Sequence, residues 1–595
     1  MTEAESGARL RRPFSRATWI HGDVEGPGVR YAWFVRRFEL ESHATSATIL
    51  VTADRSYRLH VNDAVVGYGP LPGRDHYWSY DEYDLTSQLV EGSNVVAILV
   101  QQWDPETANR DGPVTSAAGG RPLATLAELT MYPPHGDPTV VGTDSSWRAY
   151  VEPGWVHDVP RRFAEGKLIE FVEVFHSPDA AGIADAAEYD SCPRAREFEH
   201  NTWVSHLYRP EPVRESGPCW QVLVPRELPH PVRRLLAPEA VTRVGEVASE
   251  NAAANSRRYD VERWQGLERV RELGHATVTR PDALLDPESE EPTVLVAHQL
   301  RAFPFSDFEP VIVLDFGAVR NGRIALDVEA AEAVDIDLVY SVGLHDGAVL
   351  AHRGRSFHVK RLRTRGGRER WTSYDWSCFR YLQITVRTPS GYPLAIRQHP
   401  EVRIHSVWCE ETAYPLGEAR EFRCSDPELA ALHAASVRTA GLCTNDRLMD
   451  NPVREKTSWN GDLNQVIPTL TATYGNLAVV RRHFQMMLRE QLPSGNFSSI
   501  VPGQMEMIFD HALRLPIFLN VYHQLTGDHE LVRSALPAMR RFLSYLDNYV
   551  DEDGLIRYVP FQLWFGWSDL DRGSPNATLN LLYLSLLQAL HELGH

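Results

Sequence analysis

At 595 residues the chain is longer than one hydrophobic core sustains, so it holds several domains. Its 43% hydrophobic and 23% charged residues are ordinary for a soluble globular protein, and a formal net charge of −19 argues against nucleic acid and anionic membrane surfaces as partners. No apolar run approaches the length of a membrane span, and the polar start, Met1 to Ala17, lacks the hydrophobic core of a signal peptide. The cysteines (Cys192, Cys219, Cys378, Cys409, Cys424, Cys443) form no C-x-x-C pair, so reduced thiols in a cytoplasmic protein are expected, with neither a disulfide framework nor a zinc site. There is no H-E-x-x-H, no P-loop and no G-x-S-x-G, so no metal and no cofactor are expected.

In chain order, residues 1–17 read as a flexible tail. Residues 18–225 read as a β-sandwich with insertions, from short strands such as Ser46 to Ala53 and Asn94 to Val100 separated by turn signals. Gly67-Tyr68-Gly69 is expected to be a turn between strands. Tyr77, Trp78, Tyr80 and Tyr83 either stack on a sugar ring or pack in a core or on a neighbouring domain. Residues 226–292 turn polar and acidic and read as a linker region. Residues 293–417 return to strands and form a second sandwich, with a hairpin turn expected at Asn321-Gly322.

From Cys424 the hydrophobic period changes from two to about 3.6. Residues 418–595 hold about six helices. The first opens on Ser425-Asp426-Pro427, the second begins near Trp459 and runs to Tyr474, and the third turns Leu477, Val480, Phe484, Met487 and Leu488 to one face. The others span about 504–525, 529–549 and 575–593, and short connections make them helical hairpins.

Between the first two helices lies Asp450-Asn451-Pro452-Val453-Arg454-Glu455-Lys456-Thr457-Ser458-Trp459-Asn460-Gly461-Asp462. Pro452 pushes Asn451 out of the helical region, so this is a loop, the kind of segment where catalytic groups concentrate. A carboxylate beside an arginine stays ionised, whereas one against an indole tends to hold its proton. By residue type alone, Asp450 serves equally as a helix cap, and Arg454 with Glu455 as a surface ion pair. As a pattern the stretch resembles the signature of the α-L-rhamnosidases of the six-hairpin, (α/α)6-barrel type, Asp-Cys-Pro-x-Arg-Glu-x-x-Gly-Trp-x-Gly-Asp. Asp450, Pro452, Arg454, Glu455, Trp459, Gly461 and Asp462 are in register, while Asn451 stands for Cys and Ser458 for Gly. The resemblance extends over nearly the whole chain, including Asp315-Phe316-Gly317 and Phe379-Arg380-Tyr381, whose Asp315 and Arg380 are expected to be structural.

The resemblance implies two β-sandwich domains followed by an (α/α)6 barrel, and inverting hydrolysis of terminal α-L-rhamnose from rhamnosides. It makes Glu455 the general acid. Asp450 and Asp462 would grip ring hydroxyls, Arg454 would orient them, and Trp459 would supply an apolar wall. Asp510, in a weaker match, and the stretch with Trp564, Trp567 and Asp569 would complete the sugar site. Helix packing for either tryptophan and a helix cap for Asp569 stay open. A complete barrel of six hairpins needs twelve helices, and only about half are read here. The family's general base would lie in the missing half, so no residue here inherits that role. A dimer or a second chain would then complete the barrel. The alternative is a catalytically inactive carbohydrate-binding or scaffold fragment.

Overall fold

The computed structural model describes residues 13–22, 30–62, 64–73, 77–102, 123–152, 154–155, 163–164, 167–168, 173–176, 194–197, 204–205, 222–250, 266–300, 306–353, 356–387, 400–454, 456–503, 508–559, 561–566 and 572–594. The first domain follows from period-two sequence. In Ser46–Ala53 the alternation turns Ala47, Ile49 and Val51 inward. A five-stranded sheet runs in the order Arg148–Val151, Arg30–Leu40, Gly92–Gln102, Ser56–Val61, Ala64–Gly69. In a second, eight-stranded sheet, Ser46–Ala53 lies between Ala124–Tyr132 and Trp78–Asp84. Phe34, Leu59 and Ile98 of one sheet meet Ile49, Val51 and Leu129 of the other in a single core.

Two expectations change here. Gly67-Tyr68-Gly69 lies inside the strand Ala64–Gly69 rather than in a turn. A Cβ on Gly67 would fall 2.3 Å from the Tyr83 ring and one on Gly69 1.8 Å from the Asp81 carboxylate, so these glycines permit close approach. Of the four aromatics, Trp78 is core. It is 2% exposed, and its indole N–H donates to the Ala53 carbonyl at 2.8 Å. Tyr77 lies 3.5 Å beneath the Arg489 guanidinium of the helical region.

The second domain is a twelve-stranded hydrogen-bonded set built on one long strand, Ser306–Ala330. Its first part pairs with Ala240–Glu250, its last part with Gly367–Thr372 and Glu401–Ala413, and Ser377–Arg387 bridges the change. The register shifts between Asp315 and Arg320, where Gly317 adopts a φ of 72°. The chain therefore bends at this bulge, and Asn321-Gly322 is not a hairpin turn. Asn321 pairs with Cys378 and its amide donates to the Leu442 carbonyl at 2.8 Å. Gly322 leaves room for Cys409, whose sulfur would lie 2.4 Å from a Cβ.

The stretch 226–292 contributes strands to this set in place of the expected linker. Val232–Leu236, Ala240–Glu250 and Thr277–Thr279 pair within it. Val232–Leu236 is largely solvent-exposed, which accounts for its polar composition. Several buried charges are paired: Lys360 with Glu173 at 2.8 Å, Arg361 with Asp337, and both Arg363 and Arg387 with Asp335. Arg380 grips Asp315 with two bonds, of 2.7 and 2.8 Å, in the structural role expected.

Six α-helices follow among the described residues: α1 (Pro427–Leu442), α2 (Leu463–Thr473), α3 (Ala478–Arg489), α4 (Phe509–Thr526), α5 (His529–Leu546) and α6 (Ala577–Leu593). Side chains of Asp426, Asp528 and Asn576 cap α1, α5 and α6, and Gly527 ends α4 with a φ of 68°. Leu470, Phe484, Leu513, Leu519, Phe542 and Leu586 knit five of these helices into one core. Helix α1 buries no residue fully, and α6 exposes Leu581, Leu584 and Leu587. No helix among the described residues is long and apolar enough to cross a membrane, which says nothing of a β-barrel.

Candidate active site

The loop after α1 is closed by its own backbone. Asp450 N–H donates to Thr457 O at 2.9 Å and Lys456 N–H to Asn451 O at 3.0 Å. Asn451 Oδ1 accepts from the amides of Val453 and Arg454, an Asx turn that Pro452 favours by keeping Asn451 non-helical. Lys456 takes a left-handed φ of 52°. Its ammonium donates to Trp376 O at 2.7 Å and sits 3.9 Å from the Trp376 ring centre, which ties the loop to the second domain. Glu455, between Arg454 and Lys456, lies outside the described residues.

Beyond the loop, Ser458–Trp459 is a short strand paired with Ile500–Val501, and Asn460–Asp462 is a single 3-10 turn. Helix α2 thus starts at Leu463 rather than near Trp459. The delay has a cause in the polar packing beneath it. Asn460 donates its backbone N–H to Ser499 O at 3.1 Å, and its side-chain oxygen accepts from His483 Nε2 at 2.8 Å. Burial, with Arg482 nearby, lowers the His483 pKa to about 3 and keeps its ring neutral. Gly461 packs against the His511 ring, whose Nε2 would lie 2.6 Å from a Cβ.

The Cys443 sulfur lies 3.8 Å from the Asp450 carbonyl oxygen. Its thiol is pushed up to about 11, first by burial and then by the charges of Asp450 and Asp462. Arg454 Nη2 lies 3.3 Å from Asp450 Oδ2, and both side chains are open to solvent, at 48% and 35% exposure. Asp462 makes no capping hydrogen bond to α2. Trp459 is 7% exposed and packs with Ile500, Ile508 and Trp564, with the His511 ring edge-on at 6.0 Å.

Asp510 is placed differently. It is fully buried in the first turn of α4. One oxygen accepts the Trp564 backbone N–H at 2.6 Å, and the other accepts from Arg514 at 2.8 Å. Burial raises its pKa against these bonds. Asp510 therefore anchors the Trp564 segment to α4. Trp567 and Asp569 lie outside the described residues.

Sequence reasoning missed the Asn460–His483 pair, the Lys456–Trp376 clamp and Cys443. It also missed His511, whose ring lies against Gly461 and edge-on to Trp459.

Residues 42–157 match the family described as the alpha-L-rhamnosidase N-terminal domain, and residues 417–593 the bacterial alpha-L-rhamnosidase 6 hairpin glycosidase domain. An alpha-L-rhamnosidase of Streptomyces avermitilis is 25% identical over 306 residues, a segment covering 49% of this chain and 28% of that protein. The GH78 family rhamnosidase of Bacillus sp. GL1 superposes with a TM-score of 0.74 at 19% identity, over 98% of this chain and 74% of that one. The alpha-L-rhamnosidase of Dictyoglumus thermophilum gives 0.62 at 14% identity, over 97% and 56%. The Streptomyces avermitilis enzyme in complex with L-rhamnose gives 0.59 at 19% identity, over 95% and 47%. At these identities the superpositions establish the shared fold. The domain matches identify residues 42–157 as an alpha-L-rhamnosidase N-terminal domain and residues 417–593 as a bacterial alpha-L-rhamnosidase six-hairpin glycosidase domain.

Proposed function

We propose that this protein is a glycoside hydrolase that removes terminal α-L-rhamnose from rhamnosides with inversion. The observation that carries the proposal is the solvent-open Asp450–Arg454 pair on a loop that is closed on itself, clamped at Lys456 and followed directly by the buried Trp459. Glu455 protonates the leaving oxygen as the glycosidic bond breaks. Asp450 and Asp462 hold ring hydroxyls, and Arg454, 3.3 Å from Asp450, orients it. Trp459 and Trp564 wall the sugar, with Trp567 and Asp569 on the same segment as Trp564. Asp510 contributes by positioning that segment. Inversion further requires a base across the sugar ring, roughly 6.5–9.5 Å from the acid.

Glu455→Gln is the decisive variant. It should cut kcat/KM on an alkyl rhamnoside by about 10²–10⁴-fold, because that leaving group needs the proton, and far less on an activated aryl rhamnoside. Asp450→Asn and Asp462→Asn should impair both substrates alike. Leaving-group dependence in Asp462→Asn instead would assign the acid to Asp462. The second reading, a carbohydrate-binding or scaffold protein, predicts L-rhamnose binding with no turnover of either substrate.

A further inference from the structure

A cavity of about 370 Å³ lies where the two sandwiches and the helical region meet, and it includes none of the proposed rhamnose-gripping residues. That volume falls within the roughly 300–1,000 Å³ of small-molecule sites. Tyr68, Tyr374 and Trp376 supply aromatic surface, while Ser56, Gln101 and Asn445 supply uncharged polar groups.

Its arginines differ in how they are used. Arg226 is paired with Asp81 at 2.7 Å, and Arg233 with Glu410 at 3.1 Å. Arg323 is 93% buried by neighbours, with 7% exposure left. Its Nε donates to the Tyr374 carbonyl at 2.8 Å, and its guanidinium stacks 3.4 Å from the Tyr68 ring centre. No carboxylate among the described residues pairs with it. Its cross-strand neighbour Glu410 is taken by the Tyr68 hydroxyl, at 3.0 Å, and by Arg233. The stacking fixes the plane of the Arg323 fork, and its two terminal nitrogens are the donors left over. A buried cation without a counter-charge is costly, so a site of this kind is completed by an anion.

We propose that this cavity binds a uronic acid, with Arg323 holding the ring's carboxylate in a two-pronged bond and the aromatic walls receiving the C–H faces of the pyranose. Asp375, in the same wall, does not oppose this. Burial and then the neighbouring Glu173 raise its pKa, which weakens its repulsion of an anion. The uncharged donors and acceptors around it suit sugar hydroxyls better than a bare inorganic anion. The proposal does not rest on the rhamnosidase reading, since it uses none of that site's residues.

The test is calorimetric titration of the full chain with glucuronate and galacturonate, beside glucose, L-rhamnose, benzoate and inorganic phosphate. A uronate should bind at least tenfold more tightly than the neutral sugars, benzoate and phosphate. Arg323→Gln should weaken it roughly 30-fold or more, as loss of one partner of a buried charge pair does. Val66→Trp, which fills the cavity from the strand that carries Tyr68 and removes no charge, should abolish binding as well. This second variant decides the matter if Arg323→Gln fails to fold. Equal binding of neutral sugars, equal binding of benzoate or phosphate, full binding by Val66→Trp, or no uronate binding would each overturn the proposal.

Discussion

The second sandwich and the loop after α1 use the same two side chains, aspartate and arginine, to opposite ends. In the sandwich Asp335 and Asp337 are fully buried, and Arg361, Arg363 and Arg387 close around them. Burial alone would raise the Asp335 pKa, yet Arg387 and Arg361 hold it well below the usual carboxylate range. In the loop Asp450 and Arg454 meet at 3.3 Å while both stay open to solvent. The sandwich pairs are sealed, so they can act on stability alone. The loop pair is solvent-screened and worth little as structure. What separates the two kinds of pair is access to solvent, since the residue types are shared.

The strongest way to break this contrast is to open a sealed pair. Asp337→Ala removes both bonds that Asp337 makes to the buried Arg361 and should cost about 3–5 kcal/mol. Chemical denaturation followed by tryptophan fluorescence measures it. A loss below about 1 kcal/mol would mean that the sandwich pairs behave like surface ones. The converse change, Asp450→Asn, should alter stability by less than about 1 kcal/mol. It should still lower kcat/KM on rhamnosides by about 10–150-fold, the worth of a hydrogen bond to a charged group. Melting temperature and kinetics on one preparation separate the two effects.

Acid sharpens the contrast. His483 beneath the site and His60 in the first sandwich are both lowered from 6.5 to about 3, mainly by burial. Between those values the unfolded chain binds protons that the folded chain refuses, so stability must fall as pH drops below about 6.5. The loss approaches about 1.4 kcal/mol per pH unit for each histidine. Asp335 loses its contribution only at far lower pH, because its pKa is depressed from 3.8. His483→Gln, which keeps a donor towards Asn460, should flatten the fall in melting temperature between pH 6.5 and 4.5. An unchanged slope would show that His483 is not held neutral.

How much of this was legible in the sequence follows from the range of each interaction. The six helices could be read because a 3.6-residue period and the caps at Asp426, Asp528 and Asn576 are local signals. The Asn321-Gly322 turn failed because the same dipeptide serves a bulged strand once Cys409 and Leu442 lie against it, and those contacts are distant in sequence. The linker failed because an exposed strand is as polar as a loop. At the site, the Asp450–Asp462 window was legible as a motif. The Asp510 anchor was not, since its meaning lies in a bond to Trp564, 54 residues away.

The smallest expected effect concerns the edges of the helical region, where burial departs most from sequence period. Helices α4 and α6 pack on each other, yet α4 buries Leu513, Leu515 and Leu519 while α6 leaves Leu581, Leu584 and Leu587 at 65%, 51% and 39% exposure. These three leucines recur every third residue and form a stripe along α6. Helix α1 adds Leu429 and Leu432, at 53% and 63%. A stripe this apolar invites self-association or a second chain. Replacing Leu581, Leu584 and Leu587 together by Gln should shift stability by about 0.5 kcal/mol or less per site, as exposed substitutions do. The same variant should bind less of an environment-sensitive hydrophobic dye and sediment with less self-association than the parent chain. A variant that unfolds, or dye binding that does not change, would show that the stripe packs against protein in solution and that α6 is as enclosed as α4.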